Sequence, residues 1–171
     1  MTKTEEELMA EIATAKELQA KLTEYREHME KFLLELDPDG QMRQAMTMAS
    51  TEELYARARS LLTSRQMDEA LEAFTQLVLC APHNPRFQFG LGLCLHHFGR
   101  IVDASRHYGL SYIMNPSDAA CAFRLAECLE SAGDLIEAKD AYLAALQLCD
   151  VPGAPQQLRP HAQAGIDRVS A

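Results

Sequence analysis

The chain has 171 residues, of which 47% are apolar and 6% aromatic with no Trp, and it carries a formal charge of −9. That length suits one domain, or one domain with an arm, and the apolar share is enough for a real core. The acidic balance argues against a phosphate-backbone-binding surface, which needs clustered Lys and Arg, so no direct nucleic-acid binding is expected.

The N-terminus, Met1-Thr2-Lys3-Thr4-Glu5-Glu6-Glu7, is acidic and has no apolar h-region, so no secretory signal is expected. No apolar run approaches the ~20 residues that span a bilayer, and no membrane insertion is expected. Cys80, Cys94, Cys121, Cys128 and Cys149 contain no C-x-x-C pair and leave one over. An odd, unpatterned set is a poor disulfide framework, so these read as buried thiols in a reducing, cytoplasmic compartment.

Residues 4–36 read as one long helix, rich in Glu, Lys, Leu and Ala. From Leu18 its apolar positions step through Leu22, Tyr25, Met29, Phe32 and Leu36 at coiled-coil spacing. Such a stripe has to cover something, because an amphipathic helix gains little stability alone. It either folds back on the rest of the chain or pairs with a second copy. Self-association of this arm (1–36) is the favoured reading, giving a homodimer.

Asp37-Pro38-Asp39-Gly40 ends this helix as a turn. Glu35, Asp37, Asp39 and Gly40 imitate the start of a calcium loop, but Met46 stands where the bidentate Glu is required, so no metal is expected. Residues 37–50 then form a linker with Met42, Met46 and Met48, soft apolar side chains suited to gap filling. Ser50-Thr51-Glu52-Glu53 fits a capping box for the next helix.

From there the chain repeats itself every 34 residues. Ala70, Ala104 and Ala138 share that spacing, as do Leu61, Leu95 and Leu129, and Phe74, Tyr108 and Tyr142. The turn dipeptides Arg65-Gln66, Gly99-Arg100 and Gly133-Asp134 follow it too, and so do Pro82 and Pro116. This period with small and large apolar positions signals paired antiparallel helices of the tetratricopeptide (TPR) type. The expected fold is all-α: three tandem helix pairs in a right-handed superhelix over 51–152 (51–84, 85–118, 119–152), behind a long N-terminal helix. First helices are predicted near 51–64, 85–98 and 119–132, and second helices near 68–81, 102–115 and 136–149. Asn84 caps the helix that Pro85 opens, and Gly99 and Gly133 sit where first helices stop. Val151-Pro152-Gly153-Ala154-Pro155 breaks the pattern, and 153–171 reads as a capping helix and tail that covers the last repeat's stacking face.

Each first helix carries two stripes. Repeat positions 4, 7, 8 and 11, which are Gln88, Leu91, Gly92 and Leu95 in the middle copy, pack against the partner helix. Gly92 lets that partner come close, as Ala58 and Ala126 do in the flanking copies. Positions 2, 5, 9 and 12 share the other face, which lines the concave groove of stacked TPR pairs. Position 5 is aromatic three times, as Tyr55, Phe89 and Phe123, with Arg59, Leu62, Leu93, His96 and Glu127 around it. Ordinary core burial is the competing reading of these rings. Against it, the middle first helix is apolar on nearly every side, more than one packing stripe needs. A groove with aromatic walls suits an extended peptide bearing Pro and Leu side chains.

Enzymatic readings fare poorly. Gly90-x-Gly92 ends in Leu95 rather than a third glycine, and no strand precedes it, so no nucleotide cofactor is expected. His96 and His97 diverge around the helix and have no ligand set to join. Glu127 and Glu130 share a face, as solvated carboxylates commonly do.

Tyr55-Ala56-Arg57-Ala58, the run Arg86 to Cys94, Phe123-Arg124-Leu125-Ala126-Glu127-Cys128-Leu129 and Gly133 to Ala138 together resemble the class II chaperones of bacterial type III secretion systems. Roughly residues 50–150 carry the resemblance. Leu54, Gln88 and Ala122 depart from the Trp of the generic TPR pattern. The resemblance implies a non-enzymatic cytoplasmic chaperone that masks hydrophobic, pore-forming translocator proteins before export. It implies that a short Pro- and Leu-containing segment lies in the concave groove, against Tyr55, Arg59, Leu62, Phe89, Leu93, His96, Phe123 and Glu127. Dimerisation through N-terminal helices is implied as well. An alternative role is that of an adaptor acting mainly as coactivator of an AraC-type transcription regulator.

Overall fold

In a computed structural model, residues 48–151 and 153–170 are described, together with Lys31. The stripe Leu18, Leu22, Tyr25, Met29, Phe32 and Leu36, the aspartate-rich turn, and Met42 and Met46 lie outside the described residues. Met46–Ala171 form one compact unit.

The described residues make seven α-helices and no strand: α1 Met48–Thr63, α2 Met67–Cys80, α3 Pro85–His97, α4 Ile101–Met114, α5 Ala119–Ala132, α6 Leu135–Leu148 and α7 Arg159–Val169. A short 3₁₀ turn, Gln156–Leu158, leads into α7. Helices pack in sequence order, α1 on α2, α3 on α4 and α5 on α6, with each second helix also against the next first helix. These are the three predicted TPR pairs, with bounds that differ by at most three residues.

Local signals explain most helix ends. The Asn84 side chain accepts from the Arg86 amide ahead of Pro85, and Asp118 accepts from the amides of Ala120 and Cys121. Gly99 and Gly133 take φ of 72° and 88°, the left-handed backbone that stops a helix. Arg65, at the same repeat position, adopts φ 60° without being glycine. Ser50 departs from expectation: it lies inside α1 rather than at its cap, because the helix already includes Met48.

The core is built on one aromatic per repeat. Phe74, Tyr108 and Tyr142 are almost fully buried, beside the equally buried Ala70, Ala104 and Ala138. Close approach makes room for the rings. A Cβ on Gly92 would lie 2.7 Å from Tyr108, and one on Gly90 only 2.0 Å from Phe74. Ala58 and Ala126, at the place of Gly92, are fully buried too.

Gln88 stands where the generic pattern has Trp and is completely buried, so its amide must be satisfied. Its Nε2 donates to the Pro82 carbonyl at 2.7 Å, and its Oε1 lies 2.6 Å from His107 Nδ1. Burial pushes His107 down to about 4, so at neutral pH the ring is uncharged and Nδ1–H is the donor. Ser111 adds a bond from its hydroxyl to the Pro85 carbonyl, at 2.9 Å.

Cys94, Cys121, Cys128 and Cys149 are buried free thiols, and Cys80 is half-buried. Burial pushes Cys94 and Cys128 up to about 11 and Cys121 to about 12, so these remain protonated and unreactive.

Helix α7 packs on α6 in the manner of a fourth first helix. Pro160 opens it as Pro85 opens α3, and Gly165 meets the Tyr142 ring as Gly90 meets Phe74. Ala162 is fully buried in a cluster with Phe123, Ala126, Tyr142 and Ala145.

Candidate functional site

The helix pairs leave an open trough of about 380 Å³ across their first helices. Leu62 of α1, Leu93, His96 and His97 of α3 and Arg124 of α5 form its sides, with Met67 of α2 and Tyr108 of α4. One wall is aliphatic and the other carries rings and a guanidinium. Leu62, Leu93 and His96 are therefore brought together as the 34-residue spacing predicts.

Phe89 is half-buried and does not itself line the trough; it borders the lining through Tyr108, whose ring lies 5.6 Å from its own. Tyr55 and Arg59 belong to a neighbouring cluster on α1. The Tyr55 ring packs 5.3 Å from Phe87 and 6.2 Å from Phe74, with the Arg86 guanidinium 4.8 Å above it. Arg86 is held from the far side by Glu52 at 2.7 Å, and Arg59 approaches the same ring at 5.9 Å. This is an exposed cation–π stack, a surface apolar on its face and positive on its rim.

The third aromatic differs from expectation. Phe123 is only 8% exposed, because Tyr142 packs 5.7 Å away and His161 of α7 lies 6.4 Å away. The row of open rings therefore has two members, Tyr55 and Phe89, and the third belongs to the core. Glu127 is half-buried and ion-paired to Arg124 at 2.7 Å, so their charges cancel beside the trough.

His97 and Arg124, on the same face of their first helices, complete the lining with Met67 and Tyr108, which the sequence reading did not single out for the groove. Met67 had a sequence signal: it shares a repeat position with Ile101 and Leu135, apolar in every copy.

His96 Nδ1 lies 3.8 Å from Cys128 Sγ, the arrangement in which nucleophilic chemistry would be sought. Burial lowers His96 and raises Cys128, so both stay neutral and no thiolate–imidazolium pair forms. Among the described residues no cluster of His, Cys, Asp and Glu could hold a metal ion. Nor is any described helix long and apolar enough to cross a membrane.

A tetratricopeptide-repeat family profile matches residues 55–109. In sequence the chain is 31% identical over 97 residues to the low calcium response locus protein H of Yersinia pestis, an alignment over 57% of this chain and 58% of that protein. In structure it is similar to the Yersinia enterocolitica translocator chaperone SycD, with TM-score 0.69 and 24% identity over 74% of this chain and 88% of the other. SycD has also been solved with a peptide of the translocator YopD, at TM-score 0.68 and 24% identity, covering 74% and 96% of the two chains. PcrH in complex with the chaperone-binding region of PopD aligns with TM-score 0.69 and 25% identity, over 74% and 95%. Residues 55–109 thus carry a tetratricopeptide-repeat signature, and in fold the chain is similar to the translocator chaperones of type III secretion systems, while its alignment spans little more than half the length of the curated relative.

Proposed function

We propose that this chain is a stoichiometric, non-enzymatic chaperone of the bacterial cytoplasm that holds an extended segment of a hydrophobic, pore-forming translocator until export. The observation that carries the reading is the open trough across α1, α3 and α5, in a fold shared with proteins that hold translocator segments. A peptide laid there would meet Leu62, Leu93 and Phe89 as apolar contacts, with Tyr55, Arg59, His96 and Glu127 along its path. An extended chain suits such a surface, because it loses little conformational freedom on binding and buries Pro and Leu side chains that would otherwise drive aggregation. The adaptor alternative is not favoured, since SycD has been solved holding a peptide of the translocator YopD and PcrH holding the chaperone-binding region of PopD.

The N-terminal stripe Leu18, Leu22, Tyr25, Met29, Phe32 and Leu36 is proposed as the seam of a homodimer. Co-expression tests the main reading. A translocator of the same secretion locus should remain soluble and co-purify with the chain at a fixed ratio. A translocator that precipitates equally with and without the chain would contradict it.

A further inference from the structure

One node of the fold is built three times, and its middle copy is incomplete. At the last junction Tyr142 of α6, Glu130 of α5 and Arg168 of α7 form a closed set. The Tyr142 hydroxyl is 2.5 Å from Glu130 Oε2, and Arg168 donates from Nε and Nη2 to both Glu130 oxygens at 2.8 Å. At the first junction the equivalent residues are Leu62, Phe74 and Leu93, which need no polar partner. At the middle junction they are His96, Tyr108 and Glu127. Here nothing among the described residues closes the set: Glu127 turns to Arg124, and the Tyr108 hydroxyl is buried with no hydrogen-bond partner among them.

Packing does not call for that hydroxyl, because Phe74 fills the same place one repeat earlier. A buried phenol left unpaired is unfavourable, so its presence points to a partner from outside these helices. Tyr108 lines the trough, together with His96 and Arg124. Where α2 meets α3 and α6 meets α7, a glycine, Gly90 or Gly165, brings the helices together; Arg124 stands at that place on α5, and the trough opens there.

We propose that an extended segment entering the trough displaces the side chains that cover the Tyr108 hydroxyl, which then donates a hydrogen bond to a main-chain carbonyl of that segment. This rests on the groove reading and deepens it. The acceptor is neutral for a specific reason. Glu130 can face Tyr142 because Arg168 balances its charge, whereas the charge of Arg124 is already balanced by Glu127. A carboxylate entering beside Tyr108 would be buried next to Glu127 with no free cation. An extended backbone, by contrast, presents unpaired carbonyls along its length.

The test compares Tyr108→Phe and Phe89→Glu with the wild-type chain, using the chaperone-binding region of PopD as the calorimetric probe. Tyr108→Phe should leave the free chain's melting temperature unchanged or raised, and weaken binding about three- to tenfold, the scale of one neutral hydrogen bond. Backbone-ester versions of the probe, each weakening one carbonyl, should include one that loses affinity for the wild type and not for Tyr108→Phe. Unchanged affinity in Tyr108→Phe, with Phe89→Glu still disrupting binding, would overturn this inference and leave the groove standing. A lower melting temperature for free Tyr108→Phe, or no coupled ester position, would overturn it as well. Full binding by Phe89→Glu, or none by the wild type, would remove the groove reading and this bond with it.

Discussion

Arg168, near the C-terminal end of α7, and Glu130, near the end of α5, form a two-point ion pair across the last junction, with both N–O distances 2.8 Å. The parallel geometry is the strong form of a guanidinium–carboxylate contact, and it holds the Glu130 carboxyl below the usual range. It fixes α7 where a fourth repeat's first helix would stand, over Tyr142 and Phe123. Arg168→Ala should therefore loosen α7 locally. Hydrogen exchange read by mass spectrometry should speed up over 159–169 and at the end of α5, with α3 and α4 unchanged. Equal protection in α7 would show that its apolar face alone holds it.

Two glycines in neighbouring helices should respond to alanine with opposite signs. Gly90→Ala places a methyl 2.0 Å from the Phe74 ring, which is buried and has nowhere to move. Overpacking of this kind costs about 1–3 kcal/mol, more than the ~1 kcal/mol that alanine gains in helix propensity. Gly109, in α4, has open space around its would-be Cβ. Gly109→Ala should stabilise by about 0.5–1 kcal/mol. Urea midpoints of the two variants, one below and one above the wild type, check the assignment of which helix faces touch.

His107 makes stability depend on pH. Its folded value of about 4 lies below the ordinary 6.5, so the unfolded chain takes up the proton first as pH falls. The stabilisation is complete above about 6.5 and is lost progressively towards pH 4. The loss at the acid end is on the order of 3 kcal/mol. His107→Asn keeps a donor towards Gln88 and removes the titration. The variant's urea midpoint should be flatter between pH 7 and pH 5 than the wild type's, and parallel curves would contradict this role.

Much of this architecture is legible in the residues, because the repeat's constraints are local or periodic. Asn84 announces a helix start through its own side chain, and Gly99 and Gly133 announce stops through a backbone few other residues adopt. Leu62, Leu93 and His96 converge because spacing alone puts them on one face of neighbouring helices. What escapes the sequence depends on contacts between elements out of register. Phe123 looks like Phe89 in its own helix, yet it is covered through His161, on a helix whose opening Pro160 stands seven residues beyond the strict period. The same offset conceals that Pro160 and Gly165 repeat the roles of Pro85 and Gly90. Tyr108 escapes for another reason: whether a phenol finds a partner is decided jointly by α3, α4 and α5, and no spacing records it.

The most direct measurement of the central claim is binding of a translocator of the same secretion locus to Phe89→Glu, with Ile136→Glu as the control. Ile136 is 81% exposed on α6 and does not line the trough. Phe89→Glu should lose binding while keeping the helical circular dichroism signal, and Ile136→Glu should bind as the wild type does. Undiminished binding by Phe89→Glu would contradict the account.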